Sequence, residues 1–170
     1  DGVIDTGTAW LEEPDTHGDG RDPMWPDLEH YRRTIKRFHD QGFFITTHAI
    51  GDRAVREVLD AYAAAGGSDG RHRIEHIEAP SPESQRRFLT EKVNASMQPV
   101  HLRWLNPDMS DPWSERLGVH RCAHTMPSGE IQAMGANVVL GSDWPVAPYD
   151  PRFGFFAAQR RRAHDVEPHA

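Results

Sequence analysis

"FFITTHAIGDRAV", residues 43–55, decides how the rest of the chain is read. Phe43 to Thr47 are all aromatic or β-branched, the composition of a short buried strand. The run stops at His48. Gly51 and Asp52 then lead into Ala54, Val55, Val58, Leu59 and Tyr62, apolar positions at helical spacing, and Gly66 and Gly67 end that helix. A strand that passes directly into a helix is one βα unit, so the fold depends on how often the unit recurs.

It recurs in both directions. Leu28, Tyr31, Ile35 and Phe38 predict a helix closed by Gly42. "RHRIEHI", 71–77, reads as a second strand, and "SPESQRRFL" starts a helix with Ser81 as N-cap and Pro82 at the first helical position. "VNASMQ", 93–98, is a third strand. A long irregular stretch, 99–126, precedes a short helix at 128–134 ended by Gly135. "ANVVLGSD", 136–143, is the fourth strand, and "RFGFFAAQRRRA" a last helix. Residues 1–27, rich in Gly, Pro and Asp, read as loop. Strands alternating with helices imply parallel pairing and right-handed crossovers. The fold class is therefore α/β, either an open doubly wound sheet or part of an eightfold barrel.

Bulk properties narrow the function. The net charge of −7 argues against binding nucleic acid through its phosphates. Arg160, Arg161 and Arg162 read as a solvated helix face. A single cysteine, Cys122, permits no internal disulfide and fits a reducing, cytoplasmic setting. No stretch approaches the roughly 18 apolar residues that cross a membrane, and the first residues do not read as a signal peptide. No GxGxxG or GxxxxGKS/T follows any strand, which lowers nucleotide binding as an option. Eleven histidines are many for 170 residues, so position must sort them.

The strand ends do the sorting. The four strands stop at His48, at His76, at Gln98 with His101 just beyond, and at Asp143. In parallel α/β folds the carboxyl ends of the strands form one rim where sites are built. By alternation, Thr46 shares a face with His48, Ile74 with His76, and Val139 with Gly141 and Asp143. If those faces point inward, two imidazoles and a carboxylate converge. His48, His76 and Asp143 are suitable ligands for a divalent metal such as zinc, and a carboxylate beside a metal-activated water serves as general base. Asp52 is either a helix N-cap or an outer-shell partner of the site. Arg73 and Glu75 are either an ion pair facing the helix layer or substrate contacts. His101 is either a substrate contact or a loop histidine. His17, His30, His39, His164 and His169 read as solvated, and His72, His120 and His124 stay unassigned.

"HAIGDRAV" (48–55), "RHRIEH" (71–76), "SMQPVH" (96–101) and "GSDWPV" (141–146) resemble, in order and spacing, the amidohydrolase 3 family. This is the YtcJ-like branch of the metal-dependent amidohydrolases, which includes N-substituted formamide deformylase. "DG" at 1–2 and "TAWLEEP" at 8–14 resemble the segment the family carries after its fourth barrel strand. The resemblance implies a (β/α)8 TIM barrel of which these are strands five to eight, so that residues 1–170 are one fragment of that domain. The N-terminal half of the barrel and a small β-sandwich domain are then expected to lie outside it. It implies that His48, His76 and Asp143 bind metal, usually zinc, with Asp143 also the general base. His101, Gln98, Arg73 and Glu75 lie near the substrate, and Asp52 and Arg53 in the second shell. The reaction implied is hydrolysis of a carbon–nitrogen bond other than a peptide, in a small amide or formamide. An eightfold barrel needs about 200 residues, so the chain alone is expected to be inactive and to self-associate through exposed barrel edges. A barrel hydrolase of phosphoester specificity, or a metal-binding fragment without catalysis, fits the same residues.

Overall fold

The computed structural model describes residues 1–160. After a looped N-terminal segment come α1 (Leu28–Asp40), β1 (Thr46–Ala49), α2 (Asp52–Ala65), β2 (Arg73–His76), α3 (Pro82–Thr90) and β3 (Asn94–Met97). A 3-10 turn (Pro99–Trp104), α4 (Pro112–Leu117), α5 (Val119–Cys122), α6 (Ser128–Ala133), β4 (Val138–Leu140) and α7 (Pro151–Arg160) follow. The strands form one parallel sheet in the order β1-β2-β3-β4. No described helix is long and apolar enough to cross a membrane.

One face of the sheet is sealed by helices. Ala49, Ile74, Ala95 and Met97 join Val55, Leu59, Tyr62 and Phe88 in a single core, which removes most of their apolar surface from water. Tyr62 ties α2 to the strands, since its hydroxyl donates to the Arg73 carbonyl (3.0 Å) and pairs with the Thr47 hydroxyl (2.8 Å). The other face is polar. The register sets Thr46 beside Arg73 and His48 beside Glu75, so these four share a face that carries Arg73–Glu75 (2.6 Å) and Arg73–Thr46 (3.1 Å) contacts.

Several expectations change. Arg73 and Glu75 do pair, but on the face away from the helices, because Ile74 between them fills the core. The strands are shorter than the apolar runs: Phe43 and Phe44 precede β1 and are 53% and 75% exposed, with no described strand on that side to cover them. The 99–126 stretch holds three short helical pieces. Pro99 and Pro112 occupy first-turn positions, and Asp111 caps α4 by accepting the Ser114 N–H. His39 is not simply solvated, for its Nδ1 lies 2.9 Å from Nε2 of the buried His72. The readings made for Arg161, Arg162, His164 and His169 fall outside the described residues.

Candidate metal centre

A cleft of about 630 Å³ opens at the carboxyl ends of the strands. His48, His76, His101 and Asp143 all line it, with Glu78, Trp104 and Trp113. The rings of His48 and His76 are 4.3 Å apart between centroids. His101 lies 5.6 Å beyond His76, nearly parallel to it, and packs on Trp104 at 4.7 Å. Its Nε2 is 3.8 Å from Asp143 Oδ2 and its Nδ1 is 3.7 Å from Glu78 Oε1.

The local backbone explains how these groups meet. His76 is the register partner of Ala49, a core residue, not of His48. Continued alternation would send its ring among the helices. Instead His76 and Ile77 take left-handed φ values of +73° and +53°, and the ring reaches the cleft while Ile77 is buried. Non-glycine residues rarely adopt such values, at a cost of about 1–3 kcal/mol each that the surroundings must offset. Gln98 contributes here: its Oε1 accepts the His76 N–H (3.0 Å) and its Nε2 donates to Glu75 (3.1 Å). Asp143 also has a left-handed φ, +58°.

The loop before α2 is fixed from the N-terminal segment. Asp1, whose side chain is fully buried, accepts N–H bonds from Trp10 (2.8 Å), Ile50 (3.0 Å) and Gly51 (2.9 Å), and its Oδ1 stands 3.6 Å from His48 Nδ1. Gly51 is required by close approach, because a Cβ there would sit 2.0 Å from the Trp10 carbonyl oxygen.

The predicted residues are thus distributed as follows. His48, His76, His101 and Asp143 come together at the cleft. Gln98, Arg73 and Glu75 form a polar ladder on the sheet face and do not line it. Asp52 starts α2 without capping it: Gly51 holds the cap position, and Asp52 Oδ1 accepts the N–H groups of Glu12 and Arg53, both at 2.9 Å. Arg53 stacks on Trp10 at 4.7 Å. Both therefore brace the 8–14 segment.

Sequence reasoning missed Glu78 and Asp1. Glu78 is buried, and its Oε2 accepts the Trp113 indole N–H at 2.8 Å. Its only sequence signal is "HIE", an acid two residues past a strand-end histidine. Among the described residues, ligand atoms of His76, Glu78 and His101 lie within 4.8 Å of one another. His76 Nδ1 and His101 Nε2 are buried and lack hydrogen-bond partners, which fits a site built for a cation. Burial, and then His48, push the His76 imidazole below its ordinary pKa; burial does the same to His48. Both rings are then neutral near pH 7, the form that ligates metal.

Known proteins resemble this chain over most of its length. Protein LONG AFTER FAR-RED 3 of Arabidopsis thaliana is 38% identical over 125 residues, 71% of this chain and 21% of that protein. YtcJ of Bacillus subtilis (strain 168) is 29% identical over 166 residues, 96% of this chain and 30% of its own length. An uncharacterized metal-dependent hydrolase from Pyrococcus furiosus superposes with a TM-score of 0.80 at 27% identity, covering 98% of this chain and 34% of that one. A Pyrococcus horikoshii counterpart gives 0.76, also at 27% identity, over 95% and 32%. The chain thus spans about a third or less of the length of these relatives. The amidohydrolase family model matches residues 1–169, and the chain belongs to that family.

Proposed function

We propose that these residues form the metal-and-base half of a hydrolase that cleaves carbon–nitrogen bonds in small non-peptide amides or formamides. The observation that carries the reading is the convergence of His48, His76, His101 and Asp143 on one cleft at the carboxyl ends of parallel strands. In the same reading, β1 to β4 are the last four strands of a (β/α)8 barrel whose interior is the polar face of the sheet. Alone, the chain is expected to self-associate along its open sheet edges.

His48, His76 and Asp143 would hold the divalent cation, zinc by family resemblance. When bound, it supplies Lewis acidity and brings the pKa of a coordinated water down toward about 7. Asp143 takes the proton of the attacking water and returns it to the leaving nitrogen. His101, its Nε2 3.8 Å from the Asp143 carboxylate, would contact the substrate beside that base. The apolar walls from Ile50, Trp104, Trp113 and Met126 exclude water and accept the hydrocarbon part of the substrate.

The test is a panel of amides, formamides and phosphotriesters given to a longer protein that joins this chain to a preceding half barrel, and to the 170-residue chain alone. Hydrolysis of amides by the longer protein, lost in Asp143→Asn, is expected, with little or none from the shorter. Turnover confined to phosphoesters, or indifferent to Asp143→Asn, sinks the proposal; turnover by the 170 residues alone sinks its half-barrel part.

A further inference from the structure

We infer that Glu78 is a positioning residue for the proposed hydrolysis: its carboxylate receives the Nδ1–H of His101 and so leaves His101 Nε2 bare toward Asp143, as an acceptor for the proton that Asp143 takes up. The inference rests on the hydrolase reading above and keeps its ligand set.

Both side chains are held from several sides. Glu78 follows the left-handed pair His76–Ile77, and its carbonyl accepts the Met126 N–H at 2.7 Å. Its Oε2 accepts the Trp113 indole N–H at 2.8 Å, which leaves Oε1 3.7 Å from His101 Nδ1. His101 sits in the 3-10 turn, its N–H donating to the Gln98 carbonyl at 3.0 Å, and its ring packs against both His76 and Trp104. Its other nitrogen, Nε2, is 3.8 Å from Asp143 Oδ2. Both gaps exceed a formed hydrogen bond, and gaps of this size between catalytic groups often close once substrate is bound.

A neutral imidazole has one N–H to offer these two acids. Burial decides between them. The Asp143 side chain is 36% exposed, and as a proposed ligand it has a cation beside it. The Glu78 side chain is 8% exposed, and among the described residues no arginine or lysine lines the cleft to neutralise it. A buried carboxylate is the costlier of the two to leave short of donors, so the ring proton belongs on Nδ1. His101 Nε2, buried and without a hydrogen-bond partner, is then a free acceptor. When the O–H bond of the attacking water breaks and an O–H bond forms on Asp143, that new O–H donates to Nε2. The proton is held there until Asp143 returns it to the leaving nitrogen, and none is gained or lost over the cycle. In hydrolytic triads a buried acid fixes the tautomer of a histidine in the same way.

The test uses the longer protein described above, loaded with Zn2+ and labelled with 15N at histidine, the His101 resonances being identified by their loss in His101→Asn. Ring 15N shifts distinguish a protonated from a bare nitrogen. The parent is expected to show Nδ1 protonated and Nε2 bare. Glu78→Gln is expected to invert this. The Trp113 indole can only donate, so the amide turns its oxygen to the indole and its NH2 to Nδ1, and the ring proton moves to Nε2. On an amide substrate the kcat of that variant falls by at least about tenfold while KM stays within about twofold and zinc content is unchanged. Nε2 protonated in the parent, alone or together with Nδ1, overturns the inference even where Glu78→Gln fails to fold. An unchanged tautomer or an unchanged kcat in Glu78→Gln overturns it as well. The tautomer is read without turnover, so a parent that hydrolyses no amide sinks the proposed function while the ring nitrogens still decide the place of Glu78.

Discussion

The imidazole of His76 lies 4.3 Å from that of His48, although the residue beside His76 in the sheet is Ala49. The two rings meet because the backbone at 76 crosses into the left-handed region just where the strand ends. The cleft-facing geometry is therefore a property of the last residue of β2, held by its bond from the His76 N–H to Gln98.

Asp143→Asn keeps the shape of the side chain but removes its ability to take a proton. In the longer protein we expect a fall in kcat of about 10²- to 10⁴-fold, the range for a lost general base. Steady-state kinetics on an amide substrate read this directly.

Trp113→Phe preserves the bulk of the wall but leaves Glu78 Oε2 without its indole donor. An unpaired buried acceptor costs about 1–3 kcal/mol. The urea midpoint of the variant is expected to fall accordingly, and a midpoint equal to the parent's contradicts the role assigned to this bond.

Gly51→Ala places a methyl group 2.0 Å from the Trp10 carbonyl oxygen and 2.6 Å from its carbon. Neither atom is a flexible side-chain end, so the 8–14 segment must move. We expect a loss of about 1–3 kcal/mol, the usual cost of overpacking, together with faster proteolysis within the first 14 residues.

His72 supplies a pH dependence. Its Nδ1 accepts the Ile45 N–H at 3.2 Å and its Nε2 meets His39, so the folded state requires the neutral ring. Burial, then His39 and Arg71, bring its pKa from 6.5 to about 4. The folded value is the lower one, so the contribution is intact above pH 6.5 and is lost as the pH falls toward 4. At about 1.4 kcal/mol per pH unit this amounts to about 3 kcal/mol. Denaturation midpoints at pH 7 and pH 4.5 measure the loss, and an NMR titration of His72 with its midpoint near 6.5 excludes it.

Much of this architecture was legible from periodicity. The β-branched run before His48 and the 3.6-residue spacing of Val55, Leu59 and Tyr62 report burial against neighbours of known kind, so strands and helices were found in the right order. Strand ends were less legible. Phe43 and Phe44 have the composition of a buried strand but no described neighbour on their open side. At the site, His48, His76 and Asp143 were visible as ligand types at strand ends. What alternation could not convey was the left-handed turn at His76, which is a tertiary outcome. Glu78 escaped notice because its partner, Trp113, is 35 residues away. Asp1 was equally hidden, since its contact with His48 spans a helix and a loop. The Asp111–Pro112 start of α4 carried a capping signal that the irregular reading of 99–126 passed over.

Among the described residues the sheet has two bare rims, the outer sides of β1 and β4, with Phe44 at 75% exposure near one and Val139 at 43% on the other. Because all four strands run the same way, the rim of β4 on one molecule matches in direction the rim of β1 on another. Such joining is head-to-tail, and two molecules together supply eight strands, the number at which a parallel ring closes with its interior filled by side chains. If the chain self-associates along these rims, as proposed above, concentration becomes a structural variable for it, because a second molecule then supplies the surface that turns the polar face inward.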